Sequence, residues 1–257
     1  MKAVLLAGGL GTRMREETEF KPKPMVEIDG MPVLWHIMKS LSHFGITEFV
    51  VLTGYKGEQV AEFFATLHHR TRHSTYDYSD SQPSGVRLQD DSANWRVDLV
   101  RTGNETPTGG RLLEAKEVIG DKPFLCTYGD GLANVDIRKL VNGHAEANHV
   151  ATMTVVQPVN RFGVVDIGSD DTVLSFREKP RMTDWINMGY FIFNPEIFDY
   201  LDANQMLEEQ ALINLANESQ LRAHKHFGFW EPMDTYREFK HLNALWEQGQ
   251  APWKNWS

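Results

Sequence analysis

The chain has one cysteine in 257 residues, Cys126, so it can form neither an intramolecular disulfide nor a cysteine-built zinc site. No stretch approaches the roughly 20 apolar residues that span a bilayer. Nothing resembles a signal peptide, because the N-terminus runs directly into a short apolar segment and then glycines. Positive charge is the scarcer sign: 26 Lys and Arg against 35 Asp and Glu leave a net charge of −9. So acidic a surface does not grip nucleic acid or an anionic membrane over a broad face. Any polyanion must then be held locally, by backbone amides, a metal ion and a few cations. Apolar residues at 41% and charged residues at 24% exclude disordered and collagen-like classes. The length suits one α/β domain with appendages, and the expected location is cytoplasmic.

Residues 2–6 are apolar and precede Gly8, Gly9 and Gly11, which predicts a buried strand entering a glycine-rich loop. Val33, Leu34, Ile37, Met38, Leu41 and Phe44 recur at helical spacing behind Pro32, and Gly45 closes the pattern. Residues 48–53 read as a second buried strand and residues 57–67 as a second helix. Strand, loop, helix, strand, helix in that order predicts a Rossmann-like, mostly parallel mixed sheet with helices on both faces. Residues 68–94 read as loop, 97–100 as a strand, and a helix starts near Gly110. Further strands fall at 124–128 and 151–156, with a helix at 136–147 between them. Short strand-like runs at 164–167, 173–176 and 190–193 predict a small antiparallel section laid against the first half, and 235–248 a C-terminal helix. With no linker or repeat, residues 1–257 read as a single catalytic domain with a C-terminal helical extension.

The strongest chemical feature is Ala7-Gly8-Gly9-Leu10-Gly11-Thr12-Arg13, followed by Lys23 within Lys21-Pro22-Lys23-Pro24-Met25. Glycines after a first strand let backbone N–H groups reach phosphate oxygens with no Cβ in the way. Arg13 and Lys23 would supply the charge that neutralises a triphosphate. The Gly-Lys-Ser/Thr end of a Walker loop is absent, and the dinucleotide fingerprint fails at its third glycine, which disfavours an oxidoreductase. Asp130, between Gly129 and Gly131, reads by itself as a turn residue. His68, His69 and His73 do not converge on one helix face and read as a solvated helix end. Trp230, Trp246 and Trp253 read as core or subunit contacts rather than base-stacking residues, and Cys126 as inert within its strand.

Together, G-G-x-G-T-R and K-P-K-P-M resemble the signature of the sugar nucleotidyltransferases. Further blocks resemble the glucose-1-phosphate cytidylyltransferase branch: residues 34–38 (LWHIM), 54–57 (GYKG), 108–112 (TGGRL), 127–131 (TYGDG), 176–180 (FREKP), 229–235 (FWEPMDT) and 251–254 (APWK). The resemblance implies transfer of a nucleotidyl group from CTP to α-D-glucose 1-phosphate, giving CDP-glucose for surface polysaccharide and releasing pyrophosphate. Uridylyl- or thymidylyltransfer is the alternative, since phosphate and metal residues never touch the base. It implies Mg²⁺ on Asp130 and Asp234, and nucleotide contacts from Leu6, Ala7, Gly8, Gly9, Gly11, Thr12, Arg13 and Lys23. It also implies that Thr102, Gly110 and Arg111 read base and ribose, although Gly110 reads equally as a helix start and Arg111 as a solvated first-turn residue. Tyr128, Gly129, Glu178, Asn187 and Gly189 would hold the sugar phosphate, with Lys179 fixing the acceptor phosphate beside the catalytic Arg13 and Lys23. A homo-oligomer is implied, a hexamer being one such assembly, with a neighbouring subunit completing the site. The chain has Met188 where the family carries a second glycine, and residues 181–185 differ, which bears on the sugar more than on the nucleotide. A non-catalytic sugar-nucleotide binder would be expected to lack the metal acids or Lys23, and this chain keeps them.

Overall fold

Alternation along the first strand sets the layering of the molecule. In β1 (Lys2–Ala7), Ala3, Leu5 and Ala7 enter one buried cluster while Val4 and Leu6 enter another on the opposite face. Both faces of the sheet are therefore covered, as in a helix-flanked parallel sheet. The computed structural model describes residues 1–9, 21–71, 89–90 and 93–256.

In chain order, β1 is followed by a 3₁₀ turn (Lys23–Met25) and the short pair β2 (Glu27–Ile28) and β3 (Met31–Pro32). Next come α1 (Val33–His43), β4 (Glu48–Thr53), α2 (Gly57–Thr71) and the small pair β5 (Gln89–Asp90) and β6 (Ala93–Asn94). Then follow β7 (Arg96–Arg101), α3 (Thr108–Glu114), α4 (Lys116–Ile119), β8 (Phe124–Tyr128) and β9 (Gly131–Ala133). The second half holds α5 (Ile137–Ala147), β10 (Ala151–Val156), β11 (Val164–Ile167), β12 (Val173–Arg177) and β13 (Ile186–Phe193). It ends with α6 (Leu212–Asn217), β14 (Leu221–His226), β15 (Trp230–Pro232) and α7 (Tyr236–Glu247).

The main sheet has seven strands in the order β14-β10-β13-β8-β1-β4-β7, with β13 alone antiparallel to its neighbours. From β1 the chain builds outward through β4 to β7 and then returns to place β8 on the other side. β1 and β8 thus flank the point where the strand order reverses, the place at which ligands bind in such sheets. Two placements differ from the sequence reading. The run at 190–193 belongs to an interior strand of the main sheet, because Tyr190 and Ile192 pack into one cluster and Phe191 and Phe193 into the other. The β11–β12 hairpin is not laid against the first half: Phe162, Ile167, Leu174 and Phe176 are 61–75% exposed, so it stands off the core.

Every residue from Val33 to Leu41 in α1 is buried, because the C-terminal segment covers the side that a surface helix would show to water. His36 lies inside this packing, edge-on to Trp35 and Trp246, and its Nε2–H donates to the Ile28 carbonyl at 2.9 Å. Its Nδ1 is buried with no partner, and burial lowers the imidazole to about 4. Unfolded chains therefore take up this proton between about pH 6.5 and 4 while the folded protein resists it, and stability falls as pH falls through that window. The expected loss by pH 4 is about 3 kcal/mol from this residue. Denaturant melts from pH 7 to 4.5 check it: wild type should lose stability faster on acidification than His36→Gln, and equal slopes would overturn the assignment.

Candidate active site

The crevice is lined first by what leaves β1. Leu6, Gly8 and Gly9 border a cavity of about 910 Å³, and the Leu6 carbonyl accepts the Gly129 N–H at 3.0 Å, which ties the end of β8 to the end of β1. Lys23 opens the 3₁₀ turn that crosses in front of these ends, and Pro24 packs on Gly129. Asp130 and Asp234 are far apart in the chain, but β9 and β15 pair so that Gly131 faces Pro232, and the Met233 N–H donates to the Asp130 carbonyl at 2.9 Å. That three-residue ribbon carries the two carboxylates into one place.

Their oxygens meet at Lys23. Lys23 Nζ donates to Asp130 Oδ2 at 2.6 Å and also to Asp234 Oδ1. Burial alone would lower the lysine, but the two carboxylates more than offset it and hold the ammonium above its ordinary range. The trio therefore carries one excess negative charge in the cavity that Gly8 and Gly9 also line. Two hard carboxylate oxygens around a point already holding positive charge fit Mg²⁺, with phosphates and water completing its shell. Among the described residues there is no group of three or more His, Cys, Asp or Glu that could hold a metal ion.

Of the other residues singled out from sequence, Arg111, Tyr128, Asn187 and Gly189 also line this cavity. Gly189 has φ +82°, and a Cβ there would sit 2.2 Å from the Tyr128 ring, so the ring lies directly over the bare backbone. The Asn187 side-chain oxygen accepts the Gly189 N–H at 2.8 Å. Arg111 is buried rather than solvated and has oxygen acceptors all round. It donates to the Gly8 carbonyl at 3.0 Å, the Gly103 carbonyl at 2.8 Å, the Thr53 carbonyl at 3.3 Å and Thr102 Oγ1 at 2.6 Å. Burial lowers the guanidinium from its ordinary value.

Thr102 and Gly110 do not face the cavity. The Thr102 hydroxyl is buried, donating to the Thr53 carbonyl at 3.0 Å, and Gly110 is packed so that a Cβ would lie 2.3 Å from the Ala203 carbonyl. Ala7 is buried in the core, and Gly129 sits beneath the lining. Glu178 and Lys179 follow the projecting hairpin and pair with each other at 3.3 Å, both mostly exposed. Lys179 lines a neighbouring cavity of about 900 Å³ that meets the first at Trp230, Pro232 and Asp234. Trp230 thus borders both cavities instead of belonging wholly to the core, whereas Trp253 is fully buried. Its place four residues before Asp234 was the signal available in the sequence. Gly11, Thr12 and Arg13, and the side chains of His68, His69 and His73, lie outside the described residues. Cys126 is fully buried with its thiol pushed well up, and takes no part.

Residues 2–248 match the family described as nucleotidyl transferase. The chain belongs to that family. It is 44% identical over 259 residues to the glucose-1-phosphate cytidylyltransferase of Salmonella typhimurium, covering all of both chains. Among solved structures it is similar to an apo UDP-glucose pyrophosphorylase, with TM-score 0.71 at 16% identity over 97% of this chain and 98% of that one. It is also similar to HddC from Yersinia pseudotuberculosis, with TM-score 0.68 at 23% identity over 95% of this chain and 99% of that one. These likenesses to solved structures establish the nucleotidyl transferase fold. Among the described residues, no helix is long and apolar enough to cross a membrane.

Proposed function

We propose that this chain transfers the cytidylyl group of CTP to α-D-glucose 1-phosphate, giving CDP-glucose and pyrophosphate. The observation that carries the reading is the convergence of Lys23, Asp130 and Asp234 beside the glycine loop, in a chain 44% identical over its whole length to a relative of that name. A phosphate oxygen of the sugar phosphate attacks the α-phosphorus in line. The new P–O bond forms as the bond to the β-phosphate oxygen breaks and pyrophosphate leaves. The nucleophile is already an anion, so no general base is needed, and the residues act by positioning and by neutralising charge. Mg²⁺ held by Asp130 and Asp234 would supply charge neutralisation at the phosphates.

Within this reading Gly8 and Gly9 present their backbone to the triphosphate, and Lys23 carries positive charge to the α-phosphate. Arg13 takes the leaving pyrophosphate. Tyr128, Asn187 and Gly189 form the sugar end of the same cavity. Lys179, with Glu178 beside it, approaches the acceptor phosphate from the neighbouring cavity, which shares Asp234 with the first.

Pyrophosphate release with Mg²⁺ and glucose 1-phosphate, offering CTP, UTP, dTTP and ATP separately, tests the proposal. CTP should exceed the others in kcat/KM by about 10⁴-fold, the discrimination expected when a site hydrogen-bonds one base and leaves polar groups unpaired with the wrong one. Preference for another triphosphate would keep the chemistry and replace the base. Silence with all four would overturn the proposal.

A further inference from the structure

Asp234 lies just before α7, and what fixes it is a residue one turn inside that helix. Glu238 is buried, and its Oε2 accepts two consecutive backbone N–H groups, those of Asp234 at 2.8 Å and Thr235 at 2.9 Å. The Thr235 hydroxyl returns the contact by accepting the Glu238 N–H at 3.4 Å. An ordinary capping box needs only the bond to the cap residue. The additional bond to Asp234 pins the peptide from which the cavity-lining carboxylate projects. The other oxygen, Oε1, is occupied by the Arg161 guanidinium, which comes from the segment leading into the β11–β12 hairpin. With Oε1 engaged, Oε2 is left to the two amides.

We infer that Glu238 is a positioning residue for Asp234, holding its backbone so that its carboxylate meets Asp130 at the cation site, with Arg161 keeping the Glu238 side chain in place. The inference rests on the proposal that Asp130 and Asp234 hold the divalent ion. Groups that orient metal ligands without touching the metal typically account for 10- to 100-fold in affinity. The competing view is that Glu238 merely caps α7. The two views diverge because Thr235→Ala removes the cap hydroxyl and costs about 1 kcal/mol of helix stability, while leaving Oε2 on the Asp234 N–H.

Mn²⁺ titration of the substrate-free full-length protein, followed by electron paramagnetic resonance, separates them, with thermal melts of each variant in parallel. Glu238→Ala should weaken Mn²⁺ about 10-fold. Glu238→Gln should recover most of that, since an amide oxygen still accepts both N–H groups and the half-exposed Arg161 can turn to solvent. Thr235→Ala should leave Mn²⁺ affinity within about 2-fold of wild type despite a comparable fall in melting temperature. Equal weakening in Thr235→Ala and Glu238→Ala, or none in Glu238→Ala, would overturn the inference alone. If Asp234→Asn binds Mn²⁺ as wild type does, the metal assignment fails first and takes this inference with it.

Discussion

Replacing Lys23 by methionine is expected to lower kcat about 10³-fold, the upper end of what one preorganised donor contributes to a charged transition state. The lysine bridges the two carboxylates: its Nζ lies 2.6 Å from Asp130 Oδ2 and against Asp234 Oδ1. Methionine keeps the length of the stem and removes the charge, so packing beside Pro24 and Gly129 survives. The effect on the resting protein has the opposite sign for metal. Without the ammonium, Asp130 and Asp234 face each other with like charge, so a divalent ion should bind the variant more tightly than wild type. The variant should also melt a few degrees lower in chelator, from the loss of about 2 kcal/mol of charged hydrogen bonds, and recover more than wild type on adding Mg²⁺. Steady-state kinetics and melts with and without Mg²⁺ check both halves. A kcat within tenfold of wild type would remove Lys23 from the reaction, and a melting temperature indifferent to Mg²⁺ would remove the metal from this pair.

The strands that position this site were legible because they are apolar on both faces. Residues 48–53, 124–128 and 151–156 read as strands from their apolar and β-branched content, and the structure keeps those limits. β14 was missed for the complementary reason: at the sheet edge, the sequence Leu-Arg-Ala-His-Lys-His is only partly buried and shows no apolar run. Strand direction is likewise absent from periodicity, so the antiparallel interior place of β13 emerged only from its neighbours. At the site, Gly8 and Lys23 stood out by residue type and spacing, whereas Asp130 read alone as a turn residue and was joined to Asp234 only by the family resemblance. What joins the two aspartates was not legible, since a ribbon of three residues per strand carries too little alternation to announce itself. Arg111 was ambiguous for a related reason. Its partners are carbonyls at the ends of three different strands, and backbone acceptors leave no trace in a sequence.

Gly8→Ala should be among the most damaging single substitutions in the chain, although it adds one methyl group. A Cβ at position 8 would lie 2.2 Å from Arg111 Nη1 and 2.3 Å from Cζ. The guanidinium cannot retreat, because Thr53, Thr102 and Gly103 hold its other side at 2.6–3.3 Å. Either the backbone at Gly8 shifts or the arginine is expelled, stranding buried carbonyls that each cost about 1–3 kcal/mol when unpaired. The expected destabilisation is about 3 kcal/mol, with loss of triphosphate binding because Gly8 lines the cavity. Arg111→Ala should cost about as much by orphaning the same carbonyls. The pair is therefore not additive. Once the guanidinium is gone, the new methyl has room, and Gly8→Ala in the Arg111→Ala background should be nearly silent in stability. A double-mutant cycle by denaturant unfolding should return a coupling of about 3 kcal/mol. Additive costs would mean that the glycine answers to something other than this arginine.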